Sequence, residues 1–335
     1  MVTLKHLAEQ LNVSVSTVSK ALHNSEEISP DTIERVKALA EYLNYKPNRL
    51  AVSLKSSKTN TIGVIIPNIL NHFFAKALYA IEMEASKHGY NIITCVTNES
   101  SKKEMESLQL LSNGSVDGFI ISISEETQIS DNLDHIAAIL RQEIPIVMFD
   151  RVSDQVTCSK VILDDFRAGY EATMHLLNEG RKNIVAITDI EELSVGKERS
   201  NGYKQALEDF NAYKNKPFIL DVGKNNSMER DIEHLLKGSA EVDGIISVDN
   251  VSGVVALNHA KKLGIDVPKD LSIIAFSDDN VLPFSEPKLT TLSQHTMDIG
   301  KASVNLMFEQ LKNPENVDYQ TEVIQPHIIF RQTTL

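Results

Sequence analysis

A repeated apolar segment limits the possible folds of this chain more than any other feature. VDGFIIS begins at Val116 and returns as VDGIISV at Val242, and NIITCV near 91 has a counterpart in PFILDV near 217 at the same offset. Such continuous apolar runs, alternating with helical stretches, are typical of βαβ units around a parallel sheet. The repeat therefore predicts an α/β core of two similar parallel-sheet lobes.

The ends of the predicted strands indicate where this core would bind a ligand. In open α/β sheets, ligands bind beyond the carboxyl ends of the strands, so two lobes facing each other predict a cleft. The residues that follow the strands are polar, charged or aromatic. In the first lobe they are Asn68, Phe73, Phe74, Ser122, Ser124, Asp150 and Arg151, and in the second Asp189, Asp249, Asn250, Ser277 and Asp278.

The first 45 residues have a different pattern, which predicts three short helices. Thr3, Ser14 and Ser29 precede apolar stripes of helical spacing, so they are predicted N-caps, and Pro30 suits the first position of the third helix. Two short helices joined by a tight turn, with a longer helix closing their core, are typical of a helix-turn-helix head.

Charge is distributed unevenly along the chain. The net charge is −13, yet residues 1–58 carry eight Lys or Arg against six Asp or Glu, while the remainder carries 25 against 40. The basic run KPNRLAVSLKSSK has too little apolar surface to fold alone, so it is either a solvated linker or a hinge that orders only against a partner. This asymmetry indicates a nucleic-acid footprint confined to the amino-terminal end.

Several motifs are missing from the sequence, and their absence argues against catalysis. No GxGxxG, Walker A, GxSxG, HExxH or CxxC motif occurs, and the two cysteines lie far apart. We therefore expect a non-enzyme without metal or cofactor. No apolar run approaches membrane-spanning length and the start lacks a secretory signal pattern, so we expect a cytoplasmic protein with no membrane partner.

The motifs also carry a family resemblance. TLKHLAEQLNVSVSTVSKALHN, IGVIIPNILNHFFAKALYAIE, DDFRAGYEAT, ERSNGYKQAL and HIIFRQTT occur in family order over essentially the whole chain. Together they resemble the lactose/galactose-repressor (LacI/GalR) family. The resemblance implies a periplasmic-binding-protein-like core and a homodimeric transcriptional regulator, a repressor of a sugar-utilisation or related metabolic operon. Its partners would be double-stranded operator DNA and a small-molecule effector, a sugar or sugar derivative.

The resemblance also implies DNA contacts. In the family the second helix lies in the major groove, where a lysine can donate to guanine and short hydroxyls can reach bases or phosphates. A hinge leucine, here Leu54, wedges into the minor groove, with Lys55 beside it. The residues implied in the head are Leu4, Val15, Ser16, Thr17, Ser19, Lys20 and His23.

The effector residues follow the family pattern with two departures, the first of which is the order Asp249-Asn250 where the family usually has Asn-Asp. Arg199 and Asp150 match cleft residues of the family, but Ser277 stands where the family usually has an acid. Either Asp278 replaces that acid, or the ligand is not a typical sugar. The implied effector site comprises Asn68, Phe73, Phe74, Ser122, Asp150, Arg199, Asp249, Ser277 and Asp278.

These patterns predict a domain order. We expect the helix-turn-helix head at 1–46, a hinge with a short helix at 47–60, lobe one at 61–160 plus about 292–322, and lobe two at 161–291 plus about 323–335. The chain ends directly after RQTT, which favours a dimer over a tetramer built on a carboxyl-terminal helix. Two alternatives are a periplasmic-type sugar receptor without a DNA role and a cytosolic α/β enzyme acting on sugars or nucleotides. The first would need a secretion signal and no basic head. The second would need a nucleophile or a phosphate loop.

Overall fold

The computed structural model describes residues 2–45, 58–210, 216–222, 227–238, 241–278 and 284–335, without the side chain of Asn250. The chain divides into two compact units, residues 1–59 and 60–335. Most of the hinge expected at 47–60, including Leu54 and Lys55, lies outside the described residues, so it stays a prediction.

The amino-terminal unit contains the three expected helices, α1 (Leu4–Leu11), α2 (Val15–Leu22) and α3 (Pro30–Tyr42). Each of the three predicted caps is confirmed: Thr3, Ser14 and Ser29 accept hydrogen bonds from backbone N–H groups of the first helical turn. The turn between α1 and α2 is tight because Asn12 adopts a left-handed conformation with φ of 52°, which asparagine tolerates better than most residues.

Apolar packing holds α2 in the unit. Leu7 of α1, Val18 of α2 and Val36 of α3 are fully buried against one another, and Ala21 fills the space between them. Ser, Thr and Val are mediocre helix formers, so α2 depends on this packing more than on its own propensity. The helix-turn-helix expectation is confirmed.

The second unit contains two six-stranded sheets with equivalent strand orders, β11-β5-β4-β3-β1-β2 and β12-β10-β9-β8-β6-β7. The strands of the first sheet all run parallel, and in the second only β12 is antiparallel. The strands are β1 (Thr61–Ile66), β2 (Asn91–Val96), β3 (Gly118–Ile121), β4 (Ile146–Phe149), β5 (Ser159–Leu163), β6 (Ile184–Thr188), β7 (Phe218–Asp221), β8 (Gly244–Ser247), β9 (Ser272–Phe276), β10 (Thr290–Ser293), β11 (Thr321–Ile324) and β12 (His327–Ile329).

The sequence repeat corresponds to a structural repeat, because its two copies form β3 and β8, which occupy equivalent central positions in the two sheets. None of the described helices is long and apolar enough to cross a membrane. The helices of this unit are α4 (His72–Lys87), α5 (Ser101–Leu111), α6 (Glu125–Ser130), α7 (Asp134–Leu140), α8 (Asp165–Asn178), α9 (Ser194–Asp209), α10 (Met228–Lys237), α11 (Asn250–Lys262) and α12 (Thr296–Lys312).

The chain crosses between the lobes after β5, after β10 and after β11, since α8 packs on the second sheet and α12 on the first. The lobe boundaries expected at 160/161, 291/292 and 322/323 therefore each fall inside a strand, and the crossings lie a few residues later. Strand ends are the least certain part of an apolar pattern, because nothing local distinguishes the last paired residue from the first unpaired one.

Two glycines allow α8 and α9 to cross closely. A Cβ atom on Gly169 would lie 2.0 Å from the carbonyl oxygen of Arg199, and one on Gly202 would lie 2.0 Å from the carbonyl oxygen of Phe166. Backbone carbonyls cannot move aside as flexible side chains can. The two helices therefore contact through their backbones, and this crossing sets the position of Arg199.

Replacing Gly202 with Ala should lower the free energy of unfolding by about 1–3 kcal/mol, because the added methyl group overpacks the helix crossing. Urea denaturation followed by circular dichroism measures this change. The neighbouring exposed substitution Asn201→Ala is the control and should stay within about 0.5 kcal/mol. Equal effects of the two substitutions would contradict the close crossing.

Candidate functional sites

Helix α2 presents a polar face opposite its buried residues. Val15 is 44% exposed, Ser16, Lys20 and His23 are exposed, and Thr17 and Ser19 are partly exposed. Leu4 differs from these residues, because it is half-buried and packs against the apolar core of the head. The α2 residues implied in DNA contact thus share one accessible helix, whereas Leu4 also has a structural role.

Some of the polar groups on this helix already have partners within the head. Ser14 Oγ accepts a hydrogen bond from Thr17 N at 3.0 Å and lies 2.8 Å from Thr17 Oγ1. His23 Nδ1 lies 2.7 Å from the carbonyl oxygen of Ser19. The Ser14 hydroxyl is therefore a helix cap in the first place, and the Ser16 hydroxyl is the more accessible of the two.

Lys20 forms an ion pair with Glu27, a residue that sequence reasoning did not single out. Both side chains are well exposed, at 45% and 69%, so the pair contributes little stability and exchanges readily with solvent. Glu27 follows the turn after α2, and the pairing depends on the path of that turn. The sequence gives no periodic signal for such a contact.

The second unit contains a cavity of about 480 Å³ between its two lobes. It lies at the carboxyl ends of β1, β4, β6, β8 and β9, as the cleft prediction requires, and α9 and the crossing after β10 complete its wall. Its lining residues are Leu70, Asn71, His72, Phe73, Phe74, Ala75, Asp150, Arg151, Asp189, Ile190, Val195, Arg199, Val248, Asp249, Val251, Phe276, Ser277, Asp278, Gln294 and Thr296.

Most of the effector residues expected from the sequence line this cavity, namely Phe73, Phe74, Asp150, Arg199, Asp249, Ser277 and Asp278. Asn68 and Ser122 are not among the lining residues. Asn68 Oδ1 accepts a hydrogen bond from Leu70 N at 2.8 Å and stabilises the loop after β1. Ser122 is fully buried directly after β3, and its N–H donates to the carbonyl oxygen of Ile65. Both residues follow strands, but the loops turn their side chains into other surroundings.

Arg199 is held firmly in the cavity wall. Its Nε donates to Asp165 Oδ1 at 2.7 Å, and one terminal nitrogen donates to the carbonyl oxygen of Val248 at 2.7 Å. Its guanidinium carbon lies 4.4 Å from the centre of the Phe276 ring, within range of a cation–π interaction. Arg199 and Asp165 are both buried, so their ion pair holds the guanidinium group in one rotamer.

The carboxyl groups in the cavity have unusual acidities. Burial raises the pKa of Asp150 to about 7, against the opposing charge of Arg151. Burial, together with the neighbouring charge of Asp249, raises the pKa of Asp189 to about 6. Asp249 is the N-cap of α11 and accepts two hydrogen bonds from Ser252. Burial nevertheless raises its pKa. A negative charge on one carboxyl group disfavours ionisation of its neighbour, and such shifted pKa values are common in binding sites.

Asp278 is different, because its carboxylate organises the crossing after β10. Burial by itself would raise its pKa, but hydrogen bonds from Ser293 Oγ at 2.6 Å and from Thr296 N and Oγ1 at 2.9 and 2.7 Å lower it overall. Gln294 N adds a fourth donor at 3.2 Å. Both oxygens therefore already have protein partners, which weakens the expectation that Asp278 replaces the missing acid at Ser277.

Four polar lining residues, Asn71, His72, Gln294 and Thr296, were not anticipated from the sequence. His72 directly precedes Phe73, so its neighbourhood could have indicated it, and its buried Nε2 has no hydrogen-bond partner among the described residues. Gln294 and Thr296 lie in a crossing segment after β10 rather than at the end of a central strand. Only the tertiary structure brings that segment to the cavity.

A helix-turn-helix unit followed by a two-lobed parallel-sheet core with a polar cavity defines a ligand-responsive DNA-binding regulator. Family models support this class. Residues 3–48 match bacterial regulatory proteins of the lacI family, and residues 59–333 match the periplasmic binding proteins and sugar binding domain of the LacI family. The chain belongs to the LacI family of transcriptional regulators, which confirms the resemblance and the expectation of a non-enzyme.

Individual relatives agree with this assignment over nearly full length. The ribose operon repressor of Haemophilus influenzae is 29% identical over 99% of this chain and 98% of its own length. The lac repressor dimer bound to operator and an anti-inducer has the same fold, with a TM-score of 0.88, 23% identity and coverage of 100% and 99%. A LacI family regulator from Enterococcus faecium with bound ribose has a TM-score of 0.71 and 26% identity, covering 82% of this chain and 98% of that one.

Replacing Arg199 with Met should lower the free energy of unfolding by about 3–5 kcal/mol, because it leaves the buried Asp165 carboxylate without a counterion. The matched control is Arg167→Met, which removes an exposed pair with Glu171 and should cost far less, because solvent screens exposed ion pairs. Urea unfolding of both variants tests the difference. Similar losses would show that Arg199 is not a buried structural ion pair.

Proposed function

We propose that this protein is a cytoplasmic homodimeric repressor, whose affinity for a pseudo-palindromic operator depends on a sugar or sugar derivative bound in the core cavity. The cavity carries the proposal, because it combines aromatic faces, carboxylates and guanidinium groups at the carboxyl ends of the strands. Ring faces pack against the C–H groups of sugars, and the charged groups bind sugar hydroxyls. The ribose-related names of two relatives support this ligand class.

We assign DNA contact to the exposed face of α2. Ser16 and Lys20 would contact base edges, Thr17, Ser19 and His23 would contact bases or flanking phosphates, and Val15 would press on a thymine methyl group. Leu4 would lie beside the backbone of the DNA. In this proposal Glu27 holds Lys20 before binding and releases it to the more concentrated negative charge of the duplex.

The hinge would couple the two sites. Leu54 would act as an apolar wedge and Lys55 as a phosphate contact, although both lie outside the described residues. In a dimer two hinges would order side by side only at a suitable spacing of the first lobes, so an effector that shifts the lobes would change DNA affinity.

Hydrogen bonds between the two lobes provide a way for a bound effector to change the relative position of the lobes. Lys76 Nζ on α4 donates to the carbonyl oxygen of Asp278 at 2.7 Å, and Gln128 of α6 exchanges hydrogen bonds with Ser194 at the start of α9 at 2.9 and 3.2 Å. These polar contacts join the lobes around the cavity. A ligand that binds both lobes would favour this closed arrangement through differential affinity.

Replacing Lys20 with Ala should weaken operator binding by about tenfold and relax selectivity at one base pair, because a bidentate guanine contact is worth about 1–3 kcal/mol. Gel-shift titrations against operator variants measure both effects. Arg35→Ala on α3 removes the same charge and is the control. If Lys20→Ala and Arg35→Ala have the same small effect at every base pair, α2 does not read the major groove.

Replacing Phe73 with Ala should weaken sugar binding by about tenfold, through loss of ring contact worth about 1 kcal/mol and of apolar burial. Operator affinity without sugar should stay unchanged. Thermal-shift titration with neutral sugars, followed by operator release, measures the two functions separately. Phe210→Ala, at an exposed ring outside the cavity, is the control. If neither variant changes the response to any sugar, the cavity is not the effector site.

A further inference from the structure

The four carboxyl groups of the cavity differ in whether the protein satisfies them. Ser252 N and Oγ donate to Asp249 at 2.7 and 2.6 Å, and the crossing after β10 donates four hydrogen bonds to Asp278. These two acids stabilise a helix start and a crossing segment. Their oxygens are therefore largely occupied before any ligand binds.

Asp150 and Asp189 lack such partners. Among the described residues, no other residue donates a hydrogen bond to either carboxyl group, and neither forms an ion pair with a lysine or arginine. Asp150 follows β4 in the first lobe and Asp189 follows β6 in the second, so one unsatisfied acceptor lies on each side of the cleft. Carboxylates accept up to four hydrogen bonds, and no other residue in the described part of the chain supplies those donors here.

The cations near the cavity are already engaged elsewhere. Arg151 donates to Glu99 Oε2 at 2.7 Å, Arg199 donates to Asp165, and Lys76 donates to the carbonyl oxygen of Asp278. Glu99 and Asp165 thus form ion pairs with the two arginines. Among the described lining residues, the cavity has four carboxyl groups and two guanidinium groups, and both guanidinium groups already form ion pairs.

This charge balance discriminates among sugar derivatives. A phosphorylated sugar would bring further negative charge toward two carboxyl groups that form no ion pair among the described residues. A neutral sugar would supply hydrogen-bond donors but no counterion. A protonated amine supplies both, so Coulombic attraction between opposite charges adds to its hydrogen bonds. Burying a charge also costs less when an opposite charge accompanies it.

We propose that the effector is a polyhydroxylated compound with a protonated amine, of the amino-sugar class, and that Asp150 and Asp189 bind the amine from opposite lobes. This inference rests on the proposed effector role of the cavity and adds the charge of its ligand. Asp150 and Asp189 are then the specificity-determining residues. Because the two acids belong to different lobes, one ammonium group bound between them also links ligand charge to lobe closure.

Calorimetric titration of the full-length protein tests this proposal with glucose, galactose and mannose. Each is compared with its 2-amino-2-deoxy, N-acetylamino and 6-phosphate derivatives. We expect an amino sugar to bind about tenfold more tightly than its parent sugar, since its ammonium charge adds Coulombic attraction to the two carboxylates. The N-acetyl form, which lacks the charge, should lose this gain, and the phosphate should bind more weakly than the parent.

Two variants locate the effect. Asp189→Asn should reduce the preference for the amine over the parent sugar to about twofold or less, because it keeps the shape and removes the charge. Asp150→Asn should act in the same direction and serves as a second variant if the first unfolds. Glu192→Gln removes a charge three residues from Asp189, outside the cavity lining, and should leave the preference unchanged.

The outcomes separate this inference from the proposed function. If parent sugars bind and release the operator but amino sugars bind no better, or phosphates bind best, only the amine proposal is overturned. A preference that survives in both Asp189→Asn and Asp150→Asn also overturns it. If no sugar in the set binds, the sugar-effector function and the amine proposal both fail.

Discussion

The carboxylate of Asp278 holds together several segments that form the wall of the cavity in the core. One side chain at the end of β9 accepts hydrogen bonds from the end of β10, from Gln294 and from the start of α12, while its own carbonyl oxygen accepts from Lys76 of the other lobe. The group must be ionised to accept all four donors, and its lowered pKa reflects this. One carboxylate therefore fixes the end of a strand, a crossing between the lobes and part of the cavity wall. Any relative movement of the lobes has to be compatible with it.

The charged groups of the cavity differ in whether other described residues engage them. Arg199, Asp249 and Asp278 are engaged by the protein, and their positions follow from helix capping and buried ion pairing. Asp150 and Asp189 are not engaged in this way among the described residues. Residue type alone does not distinguish these two groups, since all four acids follow a strand of a parallel sheet. The hydrogen-bond partners make the distinction.

The DNA-binding head shows the same division on a smaller scale. Capping hydroxyls and a buried apolar stripe fix α2, and the remaining side chains of that helix are available for contact. Ser14 stabilises the helix start, whereas Ser16 and Lys20 lie on the exposed face. Helix α2 forms despite its low helix propensity because Val18 and Ala21 are buried on its opposite face and stabilise it by packing.

The sequence by itself determined the three capped helices of the head, the repeat of two parallel-sheet lobes and the location of a cleft at their strand ends. These features depend on local capping chemistry and on apolar periodicity, both of which are written in contiguous residues. The tertiary structure alone decided that Gln294 and Thr296 reach the cavity, that Asn68 and Ser122 do not line it, and that Glu27 pairs with Lys20. Each of these outcomes depends on the path of a loop or crossing. That path is set by contacts between residues distant in the chain, so no local pattern encodes it.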